Sequence, residues 1–157
     1  MEFERKFFPS SRFFGRRKKM NLINNTTEKL WSEFIPLHKT IDDSIGDELF
    51  SIQNYPEFYF SAFNPNLEFE KWACKQVNLN AHLPKNMEEL IIPQGEYAVF
   101  QYKGNPQKAP AFFMKVFNEV LPNASLKIDK RPHFEILGEK FNKNADSSEE
   151  EIWIPIK

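Results

Sequence analysis

Two stretches of this chain carry apolar residues at helical spacing, and each contains a proline that a helix interior does not accommodate. Leu30, Phe34 and Leu37 share one face of the first, with Trp31, Ile35 and His38 beside them, and Pro36 ends or kinks it. Capping residues at Asn24–Thr27, with Glu28 three positions after Asn25, mark its start. Phe113, Val116, Phe117, Val120 and Leu121 form the second stripe, which Pro110 opens and Pro122 stops. Strand signals surround the two helices in the same order. Ser11–Leu22, Glu48–Tyr55 and Glu68–Val77 flank the first, whereas Glu96–Tyr102, Arg131–Gly138 and Glu150–Ile156 flank the second. The chain therefore writes strand–helix–strand–strand twice, in pattern and without obvious sequence identity. A duplicated α+β unit of this kind is expected to form one curved antiparallel sheet, with both helices packed on it and a central cleft where the halves meet. The domain is expected to span residues 11–157, in halves of about 11–80 and 94–157, after a flexible segment at 1–10.

Composition narrows the function. The 157 residues are 41% hydrophobic and 27% charged, the balance of a single globular domain, with a formal net charge of −1 that draws it neither to nucleic acid nor to an anionic membrane. The cluster Arg16–Lys19 is read as a solvated part of a strand, where basic side chains discourage edge-to-edge pairing. No apolar run reaches the length of a membrane helix, and charges interrupt the first fourteen residues, so neither a membrane span nor a signal peptide is expected and the chain reads as cytoplasmic. Cys74 is the single cysteine and has no sequence-local base, which excludes an internal disulfide and disfavours a nucleophile. His38, His82 and His133 lack metal-ligand spacing and the five glycines do not cluster, so no metal, nucleotide or other cofactor is expected. The outlier is aromatic content, 15%, with 17 Phe. Rigid rings in that number fill a core or line a pocket for flat organic ligands.

The segment Met87–Gly104, MEELIIPQGEYAVFQYKG, resembles the linker and opening strand of the second half of GyrI-like domains, the effector-binding domains of AraC-type and MerR-type transcription regulators. A helix ending in Leu121-Pro122, then Arg131-Pro132-His133-Phe134-Glu135, then Glu150–Ile156 follow in the family's order and spacing. Phe14-Gly15 and Leu30-Trp31 match its first half more loosely. The resemblance covers nearly the whole chain. It implies the duplicated fold inferred above and an aromatic cleft with a buried acid that helps bind cationic, lipophilic compounds. Glu135 stands at the position of that acid, Trp153 at a neighbouring aromatic position, and Phe112 and Phe113 in the second-helix region that adds lining. Only about ten residues precede the first strand, without helical period, so the expected form is the stand-alone one, with no helix-turn-helix and no direct nucleic-acid binding.

The residues themselves offer readings beside that resemblance. Alternation puts Glu135 on one strand face with His133 and Leu137; if that face lines a cleft, desolvation raises the carboxyl pKa and a ligand cation supplies the counter-charge. Without a cleft, Glu135 is a rim residue paired with Lys130 or Arg131. In the closing strand, Ile152, Ile154 and Ile156 oppose Trp153; assigning the isoleucines to the core leaves Trp153 for the cleft. Trp72 is a second cleft candidate, and Tyr97 is a hydrogen-bond donor to ligand. The leading reading is therefore binding or sensing of an amphipathic, cationic or neutral aromatic molecule. The alternatives are a small hydrolase of electrophilic compounds, with Glu135 as general acid/base assisted by Tyr97, or a gyrase- or toxin-directed protein-binding module.

Overall fold

A computed structural model describes residues 1–157. Ten regular elements order it: β1 (Glu4–Phe8), β2 (Ser11–Met20), α1 (Thr27–Phe34), β3 (Leu49–Asn54), β4 (Phe69–Val77), β5 (Glu88–Ile92), β6 (Gly95–Lys103), α2 (Ala109–Lys115), β7 (His133–Leu137) and β8 (Glu149–Pro155). All eight strands form one sheet, in the order β1-β6-β8-β7-β3-β4-β2-β5, and every pairing is antiparallel. The repeat read from the sequence is visible in that order. Strands β6, β8 and β7 of the second half mirror β2, β4 and β3 of the first, and β7 pairs with β3 on the pseudo-two-fold axis.

Two elements extend the repeat. Residues 1–10 were expected to be flexible, yet they contain β1, which pairs with β6 from Glu4↔Val99 to Phe8↔Gly95. In the same way β5, in a segment whose prolines hide its strand character, pairs with β2. Each half thus begins with a short strand that crosses to the other half's sheet. Phe8 explains the order in β1: its ring lies 4.9 Å from Phe134 and 5.4 Å from Trp153, centroid to centroid. In a flat sheet β1 and β7, three strands apart, would be separated by about 14 Å. The sheet therefore curls toward this face and packs it upon itself, as a core that includes Phe13, Ile52, Trp72, Tyr97 and Trp153.

The helices occupy the opposite face. Leu30 and Phe34, one turn apart, bury α1 against β2 and β4, together with Phe14, Phe69 and Ala73. Asn25 Oδ1 accepts the Thr27 amide at 3.0 Å at its start, and the helix ends two residues before Pro36. Val116 and Leu121 pack the second helical segment on Ala98, Phe100, Ile152 and Ile154 of β6 and β8. Pro122 does not stop that segment. α2 widens into a π-helical turn over Val116–Val120, and one further α-turn, Leu121–Asn123, carries the proline. The widened ladder accommodates the missing donor and the ring's clash with the preceding turn.

Gly15 fixes how closely β2 and β4 approach: a Cβ there would lie 2.0 Å from the Ala73 carbonyl oxygen. Beyond Gly15, β5 no longer covers β2, so the basic residues Arg16–Lys19 line an open edge. Most of that charge is neutralised locally, through Arg17 with Glu70 at 3.1 Å and Glu88 at 2.9 Å and Lys18 with Glu33 at 3.1 Å. No helix of the chain is long and apolar enough to cross a membrane.

Candidate functional site

Because α1 rests on β2 and β4, and the second helical segment on β6 and β8, the central strands β3 and β7 form the floor between them. Side chains directly opposite in the antiparallel register share a face. The pairs Ser51↔Glu135, Gln53↔His133, Gln53↔Lys71 and Glu135↔Ile152 therefore place Glu135, His133, Ser51, Gln53 and Lys71 on the helix side. Glu150, two residues from Ile152, joins them. A polar floor thus lies between two apolar clusters.

Glu135 makes neither of the rim pairings that its sequence allowed. Lys130 bonds Glu57 at 3.1 Å and Arg131 bonds Asp129 at 3.2 Å. The Glu135 carboxyl has no ion-pair partner, and burial pushes its pKa up to about 8; Lys71 and the neighbouring Gln53 amide offset this in part, and Glu150 adds to it. Glu150, likewise without an ion-pair partner, is pushed up to about 7 by burial, again partly offset by Lys71. Burial lowers the Lys71 ammonium, which the two carboxylates partly restore, and its hydrogen bond goes to Thr27 Oγ1 at 3.2 Å. His133, pushed down to about 3 by burial, is neutral. Glu135 nevertheless keeps some solvent contact, so the floor is crowded but reachable.

An aromatic turn after β3 closes the His133 end of the cleft. Phe60 stacks on His133 at 5.3 Å and meets Phe117 of the π-turn at 4.7 Å. Tyr55 packs edge-on against His133 at 4.9 Å, and burial followed by the Glu135 charge raises its phenol pKa. Two surface hollows open nearby and further off: one of about 250 Å³ between Tyr55, Lys19 and Glu68, the other of about 360 Å³ beside Phe3 and Lys115. Neither contains a floor residue. The rings of Tyr55, Phe60 and Phe117 cover the His133 end of the floor.

The structure brings together only part of the set expected from the sequence. Leu137 shares Glu135's face, opposite Leu49. Phe113 stacks on Phe117 at 6.1 Å and so backs the aromatic plug, while Phe112 turns to Phe100 and Tyr102. Trp153, Trp72 and Tyr97 are on the other side of the sheet. Trp153 pairs with Phe134 and stacks on it at 5.2 Å, Trp72 pairs with Ile52, and Tyr97 donates to the Pro132 carbonyl at 2.9 Å beneath the Arg131 guanidinium. The assignment of Trp153 assumed one buried face and one open face. Here the curled sheet buries both, so the isoleucines face the helices and the tryptophan faces the second core. Tyr97 consequently cannot assist Glu135 in acid–base chemistry.

Lys71, Glu150, Tyr55 and Phe60 were missed. Glu150 was legible, since its alternation with Ile152 and Ile154 fixes a common face. Phe60 carried no signal, because it lies in an irregular segment.

Residues 8–156 match the family described as Cass2, integron-associated effector binding protein. The chain belongs to this family. Its members' description as effector-binding agrees with the GyrI-like resemblance and makes this a small-molecule-binding domain related to the ligand-sensing parts of transcription regulators. Among curated proteins it is similar to the transcriptional regulator BrlR of Pseudomonas aeruginosa, 26% identical over 133 residues that cover 84% of this chain and 47% of BrlR. It thus spans about half of that relative's length. The fold recurs in SAV2435, solved bound to tetraphenylphosphonium (TM-score 0.72, 13% identity, 100% of this chain and 94% of that one). It recurs also in an integron cassette protein of Vibrio cholerae (TM-score 0.68, 16% identity, 99% and 95% coverage).

Proposed function

We propose that this effector-binding domain captures amphipathic aromatic compounds bearing a positive charge, in the cleft between α1 and the second helical segment, with Glu135 as the anionic anchor. The observation that carries this reading is the Glu135 carboxylate, held without an ion-pair partner on a floor walled by Tyr55, Phe60 and Phe117. A desolvated carboxylate without a counter-ion is costly, and a cation that enters removes the cost while ring faces add cation–π attraction. The aromatic turn must move to admit a ligand, because Phe60 occupies the space that ligand rings would take. The tetraphenylphosphonium bound to SAV2435 supports the same chemistry by analogy of fold.

The test is fluorescence or calorimetric titration of the wild type and Glu135→Gln with tetraphenylphosphonium and with neutral triphenylphosphine oxide. The substitution should weaken the phosphonium at least about ten-fold and leave the neutral compound nearly unchanged. Wild-type affinity for the cation should rise from pH 6 to pH 9 as Glu135 ionises. Equal losses for the two compounds, or no binding of either, would reject Glu135 as a charge anchor.

A further inference from the structure

Lys71 is the feature of the floor that capture of a simple cation leaves unexplained. A lipophilic cation gains nothing from an ammonium in its own cleft, and β4 carries this one on the same face as Glu135. Of the three N–H donors of Lys71, one is used by Thr27 Oγ1 at 3.2 Å, and no carboxylate lies within ion-pair distance. Neither Glu135 nor Glu150 forms an ion pair. If the purpose of Lys71 were to neutralise the acids, direct pairing would be the stable arrangement, because separated buried charges each bear their own desolvation. Instead β3 stands between them: Lys71 opposes Gln53, which opposes His133, and Glu135 lies two residues further along β7. The ammonium and the carboxylate thus arise from backbones two strands apart, about 10 Å. Gln53, whose Nε2 donates to Ser51 Oγ at 3.1 Å, holds the ground between them.

From this arrangement we infer that the cleft is two-poled, and that its ligand carries an acceptor group, a carboxylate or equivalent oxygen, for Lys71 in addition to the cation held by Glu135. The ligand class is then a zwitterionic or dipolar aromatic molecule. This inference deepens the proposed function and rests on it. Lys71 is the residue that would distinguish such a molecule from a plain lipophilic cation: the unused N–H donors of its ammonium offer charge-assisted bonds that an ester or a hydrocarbon cannot match.

A matched pair of dyes separates the two ideas. Rhodamine B carries a xanthylium cation and a carboxylate; its ethyl ester has the same rings and the cation alone. Fluorescence anisotropy with the full chain should show the wild type binding rhodamine B at least as tightly as the ester. Lys71→Met should shift the preference toward the ester by about ten-fold or more, and Lys71→Arg should retain the wild-type order. Melting curves would confirm that both variants fold. A wild type that prefers the ester ten-fold, or a Lys71→Met variant with an unchanged ratio, overturns the role of Lys71 while leaving the Glu135 anchor standing. If neither dye nor tetraphenylphosphonium binds, the anchor and the second pole fall together. Should Lys71→Met fail to fold, the wild-type ratio alone decides.

Discussion

Glu135 gives the sharpest test because its environment predicts a sign that most buried polar substitutions do not. In the folded chain its carboxyl keeps its proton to about pH 8, against an ordinary value of 4.5. Between those values the folded state binds more protons than the unfolded one, so stability falls as pH rises through that window and stays reduced above it. At about 1.4 kcal/mol per tenfold the interval corresponds to a ceiling of about 5 kcal/mol. Solvent contact at Glu135, the attraction of Lys71 and the shared titration with Glu150 reduce it, and a net penalty of about 2 kcal/mol at pH 8.5 is the expected scale. Glu135→Gln keeps the shape and removes the charge. It should therefore stabilise the ligand-free protein by about 2 kcal/mol at pH 8.5, a rise in Tm of about 4–8 °C for a chain of this size, and by less than about 0.5 kcal/mol at pH 5. Thermal or urea unfolding of both proteins at the two pH values measures the difference. A stability gain that is the same at pH 5 and pH 8.5, or a loss at pH 8.5, would refute the picture of a carboxylate held without a counter-ion.

Two further outcomes follow from the packing. Phe60→Ala should cost about 1–2 kcal/mol, less than a fully buried ring, yet tighten tetraphenylphosphonium binding because the ligand no longer displaces the plug; weaker binding in calorimetry would make Phe60 a contact rather than an occupant. Gly15→Ala should destabilise by about 1–3 kcal/mol in urea unfolding, since the new methyl meets the Ala73 carbonyl and the Cys74 Cβ, and an unchanged midpoint would contradict the close β2–β4 approach.

What the sequence determined by itself was local and periodic. The stripe Leu30–Phe34 specified α1 and the face it buries, alternation placed Glu135 with His133 and Leu137, and the repeated order of elements specified a duplicated sheet with a cleft between its helices. These follow from neighbours a few residues apart. The tertiary structure decided which neighbours each side of the sheet meets. Alternation divides β8 into Glu150, Ile152 and Ile154 against Trp153, but it assigns neither set to a partner, and here both sides are buried. The choice rests on the curl of the sheet and on Phe8, which reaches Phe134 and Trp153 from a strand that looked like a loose end. The same long-range geometry sets Lys71 opposite Gln53 and holds Phe60 against His133 and Phe117. Charges and rings that meet across strands distant in sequence acquire their roles only from register and closure, which depend on the free energy of the whole sheet rather than on any local run of residues.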